Sequence, residues 1–358
     1  MRRRRFLAAA GGSLALSTAG CQGLLQSETT RTPPLVENRP DAVYVPSHIE
    51  GMEMVGTETS GRYRFALSYS FPHRFWLVTS DRVRKVDIGD EHSVHLMLSA
   101  WDTETETVIP TSSAAVTVTR DGDTVLSDRR LWSMLSQNMG VHFGDNVALD
   151  GDGTYEVRVN FGPVETRRAG ALADALDDQV EATLSLAFSQ ATLDGVSYER
   201  LPDRQGQRDA EAPMGMLGER LPTGQVPPMA QLPGTVRGDV RETATGDAHV
   251  VVTTLSAPPA GIDGDGTYLA VSARTPYNRY PLPFMSLSAT LTRRGETIAS
   301  SDLTATLEPD LGYHYGAVVD SVESGDTLDL TVAAPPQIAR HEGYETAFVG
   351  MDAVSLTL

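Results

Sequence analysis

The stretch VTVTRDGDTVLSDRRL, Val116 to Leu131, decides the fold. Apolar Val116 and Val118 alternate with polar residues, Asp121-Gly122-Asp123 supplies tight-turn chemistry, and the apolar residues resume at Val125. That is a β-hairpin signature. A second copy, ATLTRRGETIASSDL, runs from Ala289 to Leu303. The likeness extends downstream. Arg120 precedes His142 by 22 residues, and Arg293 precedes His314 by 21. Each His is followed by an aromatic residue and Gly, in SQNMGVHFGDNVAL (Ser136–Leu149) and in GYHYGAVVDSV. A turn and an alternating strand come next, TYEVRVNF in one copy and TLDLTVAA in the other, ending at Pro163 and Pro335. Self-similarity of this kind marks a duplicated unit.

Outward from the hairpin lie YRFALSYSF, HSVHLMLSAW and EATLSLAF, short β-branched runs separated by turn signals. Their spacing predicts an all-β chain of two tandem immunoglobulin-like β-sandwich domains with a Pro/Gly-rich linker. The first domain is placed at 48–197, the linker at 198–240 and the second domain at 241–358. One stretch, RRAGALADALDDQ (Arg167–Gln179), reads as a short crossover helix. Met214, Met216 and Met229 in the linker are read as greasy residues resting on a domain, with soft-metal binding as the alternative.

The chain begins MRRRRFLAAAGGSLALSTAGCQG. Its arginines, short apolar run and single Cys match a twin-arginine export signal ending in a lipobox. Residues 1–21 are the expected signal, Cys21 the expected lipidated residue, and 22–47 a polar tether. The expected location is the extracytoplasmic membrane face, lipid-anchored. With one Cys there is no internal disulfide. The net charge is −18 and Lys85 is the only Lys, a composition that resembles halophilic archaeal lipoproteins. So acidic a chain excludes nucleic-acid binding, which needs a basic stripe. No motif for a hydrolase, a phosphate loop or a zinc protease is present, and the chain is expected not to be an enzyme.

Histidine and methionine carry the remaining chemistry. In HSVHLMLSAW, Val94, Leu96, Leu98 and Ala100 share one face, the core face. His95 and Met97 lie on the other. Val141 and Phe143 point inward, so His142 also faces away from the core, with Met134 and Met139 just before it. Two imidazoles and one or two thioethers form a soft-to-borderline ligand set. In the second copy Tyr268 stands for His95 and Ala270 for Met97, while His314 remains and His341 follows in QIARHEGYETAF.

At these residues the sequence resembles the periplasmic ferrous-iron transport protein family, immunoglobulin-like metal-binding proteins that work with an iron permease. Glu50-Gly51-Met52, His95-Leu96-Met97, His142-Phe143-Gly144-Asp145-Asn146 and Gly153-Thr154-Tyr155 carry the likeness. It covers the first domain well and the second loosely. The resemblance implies metal ligation by His95, Met97, Met134 and His142, with His314 and His341 second to them. Met97 stands where the family has Glu, which shifts preference from iron toward copper. The family's late His after the Pro is missing from Val164-Glu165-Thr166. Family members dimerise with metal near the interface, so the tandem copies are expected to form an internal pseudo-dimer in which His341 completes a site. The implied function is lipid-anchored capture of an iron or copper ion for uptake by a membrane permease. The alternative is a metal-free surface protein for protein interaction or envelope structure.

Overall fold

Alternation and turn chemistry translate into twenty-two strands and one short helix, α1 (Gln190–Asp194), among the described residues. The computed structural model describes residues 33–214 and 221–358; the expected signal at 1–21 with Cys21, and Met216, lie outside them. The strands of the first half are β1 (His48–Glu50), β2 (Glu53–Ser60), β3 (Tyr63–Ser70), β4 (Phe75–Thr79), β5 (Arg82–Val86), β6 (Val94–Asp102), β7 (Ala114–Arg120), β8 (Asp123–Ser136), β9 (Gly140–Val147), β10 (Gly153–Phe161), β11 (Arg167–Arg168), β12 (Val180–Phe188) and β13 (Tyr198–Arg200). Those of the second are β14 (Thr235–Val240), β15 (His249–Leu255), β16 (Thr267–Arg274), β17 (Ser286–Arg293), β18 (Glu296–Glu308), β19 (Gly312–Val319), β20 (Thr327–Ala334), β21 (Ala339–Arg340) and β22 (Val354–Thr357).

The quoted hairpin is β7–β8, and its copy is β17–β18. One large sheet runs β12-β10-β7-β8-β9-β6-β3-β2, with the β4–β5 hairpin and β21 off this path. The other runs β22-β20-β17-β18-β19-β16-β15-β14, with β11 off its path. The two orders match strand for strand, so the repeat seen in sequence is a repeat of topology. Each sheet curls until its end strands meet: Gly56 of β2 faces Leu184 of β12, and Gly238 of β14 faces Leu356 of β22. The fold is all-β, two β-sheet units in tandem. Tyr155, Val157, Val159 and Phe161 of β10 point into the first core, while Glu156 and Arg158 point to solvent.

β6 and β9 depart from that half-exposed pattern. Every residue of β9 is buried, and all of β6 except Ser99. Their outer face is covered by chain from both halves. Residues 42–47, read as the end of a tether, are buried there. The Tyr44 amide donates to the Gly343 carbonyl (3.1 Å), and Gln137 Nε2 donates to the Tyr44 carbonyl (2.8 Å). Within the segment read as linker, β13 pairs with β1, and β14 is an edge strand of the second sheet.

Two very short strands cross between the halves. β21 runs parallel to β8, with Ala339 opposite Met134 and Arg340 opposite Leu135, and Arg340 also pairs with Trp76 of β4. β11 runs parallel to β18, with Arg167 opposite Thr306 and Arg168 opposite Leu307. The next amides continue both ladders. His341 N donates to the Leu135 carbonyl (3.0 Å) and Ala169 N to the Leu307 carbonyl (3.1 Å). Each half thus lends an equivalent segment to the equivalent strand of the other. The crossover helix expected at Arg167–Gln179 is therefore corrected. Its first residues form β11, Gly170–Leu172 form a single 3₁₀ turn, and Gly170 and Leu176 take φ of +63° and +64°. Pairing with β18 outweighs the helix propensity of the Ala- and Leu-rich run.

Candidate metal centre

The outer face of β6, β9 and β8 is the floor of the site. Cross-strand register sets His95 opposite Asn146, Met97 opposite Gly144, and His142 opposite Met134. Val141 and Phe143 are buried in the core beneath, so His142 faces away from it as the alternation requires. His95 is fully buried and His142 is 1% exposed. Loops cover both rings.

Those loops bring two more imidazoles. His73 sits in the turn between β3 and β4, and His341 directly follows β21. Candidate ligand atoms of His73, His95 and His341 all lie within 4.8 Å of one another. Ring centroids are 3.9 Å apart for His73–His95, 4.7 Å for His73–His341 and 5.2 Å for His142–His341. His341 comes from the second half of the chain and meets three histidines of the first.

Hydrogen bonds fix which nitrogen each ring presents. His95 Nδ1 donates to Asn146 Oδ1 (2.9 Å), and that amide is itself oriented because its Nδ2 donates to the His73 carbonyl (2.8 Å). His142 Nδ1 donates to the Gly140 carbonyl (3.2 Å) and His73 Nδ1 to the Phe71 carbonyl (3.1 Å). With Nδ1–H engaged, the lone pair is on Nε2, the arrangement found in metal-ligating histidines. The Nε2 atoms of His73, His95, His142 and His341 are all buried without a hydrogen-bond partner. A buried polar atom left unpaired costs about 1–3 kcal/mol, and here four such atoms lie in one cluster.

Burial sets the electrostatics. It holds the pKa of His95 and His341 well below the usual imidazole range, with the charge of His73 adding to the effect. Burial likewise lowers His142 to about 4. These three rings are neutral at physiological pH and free to donate lone pairs. Behind His73 stands Glu50, whose Oε2 lies 3.6 Å from His73 Nδ1 and whose Oε1 is 2.9 Å from His48 Nε2. Burial alone would raise the Glu50 pKa, but the hydrogen bond with His48 and the nearby His73 ring outweigh it and hold the carboxyl at about 2.

Gly144 supplies the space. A Cβ there would lie 2.9 Å from His95 Nε2 and 3.2 Å from Met134 Sδ. Met134 is fully buried with Phe75, Leu77 and Ala339, so its thioether borders the same cradle as His95. Met97 packs instead with Met52, Ala66, Met139, Trp101 and Leu221, on the far side of Gly144. Of the expected ligands, then, His95 and His341 share the tight group with His73, His142 lies against His341, Met134 borders the Gly144 cradle with His95, and Met97 adjoins it.

His314 is elsewhere, in the equivalent place of the second sheet. Its Nδ1 donates to the Gly312 carbonyl (2.9 Å), and the Tyr268 hydroxyl lies 2.9 Å from its Nε2. Gly316, the counterpart of Gly144, has its cradle filled by the Tyr268 ring. Arg167 of β11 closes the space. Its Nε donates to Thr306 Oγ1 (2.9 Å), and its Nη2 to the Tyr268 hydroxyl (3.2 Å) and the Gly316 carbonyl (3.3 Å). His73 escaped the sequence reading, since a turn residue has no periodicity to place it. Its one signal was the Pro before it, which also stands before the late His341 segment. The other linker methionines diverge: Met229 is 38% exposed, and Met214 rests on the Met97 cluster.

A family model described as a domain of unknown function, DUF7350, matches residues 230–357, which hold β14 to β22. No curated protein matches the chain in sequence. Among solved structures, the chain is similar to FetP of uropathogenic E. coli strain F11, at 14% identity over 40% of this chain and 96% of that one, with a TM-score of 0.28. It is similar to the copper-reconstituted P19 protein of Campylobacter jejuni at 15% identity, over 38% and 96% of the two chains, with a TM-score of 0.30. A copper-bound variant of that protein, with one glutamate replaced by glutamine, gives 16% identity over 38% and 98%, with a TM-score of 0.31.

Proposed function

We propose that the chain captures a copper ion, with iron as the harder alternative, at the His73–His95–His142–His341 cluster, and hands it to a membrane permease. The observation that carries this reading is the convergence of four imidazoles, His95 and His142 buried and His73 and His341 partly buried, whose Nε2 atoms are all buried without a partner. An ion bound at about 2 Å by several imidazoles needs donor atoms roughly 3–4 Å apart. The candidate donor atoms of His73, His95 and His341, all within 4.8 Å of one another, are near that spacing. His95, His142 and His341 would be the principal ligands with His73, and Met134 a thioether ligand across the Gly144 cradle. Among the described residues no Asp or Glu joins the His73–His95–His341 group; Met97 stands where the family that the sequence resembles has Glu, and Glu50 lies by Nδ1 of His73. Nitrogen and sulfur donors favour copper over iron.

The protein does no covalent chemistry in this reading; it binds, shields and releases. The leader pattern and Cys21 support a place on the extracytoplasmic membrane face, held by lipid. The halves act as an internal pseudo-dimer, the second lending His341 to the first. Isothermal titration with Cu(II) and with Fe(II) tests the reading. Binding with Kd below about 10 µM is expected, weakened at least about tenfold in a His95→Ala/His341→Ala variant. Absence of binding, or equal affinity in the variant, leaves the metal-free surface protein as the better account.

A further inference from the structure

Methionine is segregated in this molecule. Nine methionines lie among the described residues, and five of them, Met52, Met54, Met97, Met139 and Met214, pack in one small cluster with Ala66, Trp101, Val108 and Leu221. The main core, which spans both sheets, has no methionine among its buried members, and only the partly buried Met285 and Met351 pack against it. Met52, Met97 and Met139 are 7%, 3% and 9% exposed, whereas Met54 and Met214 are partly exposed and lead outward. Met97 is the inner end, directly across the strand from Gly144 and so beside the histidine cluster.

The second half serves as an internal control on packing. By register, Ala270 occupies the place of Met97 and Val236 that of Met54, and Leu311 precedes β19 as Met139 precedes β9. The cluster on that face comprises Tyr268, Ala270 and Leu311, with Leu232, Leu255, Ile262 and Val318 against them, and no methionine. The same niche is therefore filled by aliphatic side chains and the Tyr268 ring, without thioethers. Thioethers occur in the copy that keeps its histidines and are absent from the copy whose site is closed by Tyr268 and Arg167. Packing alone does not account for that difference, but ligand chemistry does, because thioether sulfur binds soft monovalent ions such as Cu(I) and discriminates against hard cations.

We propose that Met52, Met97 and Met139 form a second site, for a soft monovalent d10 ion of the Cu(I) class, through which the ion passes between the partly exposed Met54 and the histidine cluster. The delivery role rests on the histidine site binding metal, while the thioether site itself does not. Ag(I) is the redox-silent probe. The full chain is titrated with Ag(I) against a competing chelator, and sulfur scattering is read by X-ray absorption. Wild-type protein is expected to bind Ag(I) in a sulfur-dominated shell, and His95→Ala/His341→Ala to keep that binding. Met52→Leu/Met139→Leu, which imports the aliphatic packing of the second half, is expected to weaken it at least about tenfold while Cu(II) affinity stays unchanged. A shell without sulfur in the wild type, or Ag(I) affinity unaltered in the leucine variant, overturns the proposal whether or not the variant folds well. Loss of Cu(II) binding alone would instead overturn the histidine reading.

Discussion

Gly144 is the residue on which the site turns. Its backbone is ordinary for a strand, so alanine there strains no dihedral, yet a single methyl would press on His95 Nε2 and Met134 Sδ. Gly144→Ala is expected to leave the far-ultraviolet spectrum and the fold intact and to weaken Cu(II) binding by about 10- to 100-fold. Unchanged affinity would mean the ion does not sit over Gly144. The imidazoles make a second prediction. His142 titrates near 4 in the folded chain because burial disfavours its charged form, against 6.5 as its ordinary value. His95 and His341 are lowered too. Between pH 6.5 and 4 the unfolded chain binds more protons than the folded one, so stability falls as pH drops through that window. Metal-free protein should melt at a constant temperature above about pH 7 and at progressively lower temperatures below it. His142→Gln, which cannot titrate, should flatten that slope, and an unchanged slope would count against buried neutral imidazoles.

At the scale of elements, the exchange of β11 and β21 joins the halves. Both strands are two residues long and gain their stability from the strands they join. In the second sheet Arg167 stands where Ala339 stands in the first, and its guanidinium satisfies Thr306, Tyr268 and Gly316 together. Arg167→Ala should therefore destabilise the chain by about 1–3 kcal/mol in denaturant unfolding. It should leave the affinity at the His73–His95 cluster unchanged and the stoichiometry at one Cu(II) per chain. A second bound ion in the wild type, lost in His314→Ala, would show instead that the His314 copy is open. The hairpins, the duplication and the outward-facing His95 and His142 were all legible in sequence, because a period of two and Asp-Gly turns are local signals. The register substitution of Tyr268 for His95 was legible for the same reason. What was not legible was non-local: β4–β5 as an insertion roofing the site, His73 in a turn, and Arg167–Gln179 as strand and turns rather than helix. In that last stretch, the Arg pair finds its partner about 140 residues away in β18.

At the scale of the whole molecule, an ion held by His73, His95, His142 and His341 is a cross-link between the two halves. His341 is tied to the second half through Arg340, a fully buried guanidinium that donates to the carbonyls of Pro336, Tyr344, Ala347 and Phe348 and whose pKa burial lowers to about 9. Pulling on His341 thus pulls on a rigid loop. Phe348 of that loop donates its amide to the Gly246 carbonyl (2.7 Å), just before β15 of the second sheet. Binding stabilises whatever is folded in the bound state, by about 2.7 kcal/mol at a free ion concentration 100 times Kd. The gain should therefore reach amides far from the ligands. Hydrogen exchange with and without Cu(II) is expected to show added protection in β15, β16 and β19 as well as in β6 and β9. In His341→Ala, the ion can still be held by His73, His95 and His142, so added protection should persist in β6 and β9 and vanish from β15, β16 and β19. Protection of the second sheet that survives in this variant would mean that the halves are coupled through their packed core alone, and that His341 is not the link.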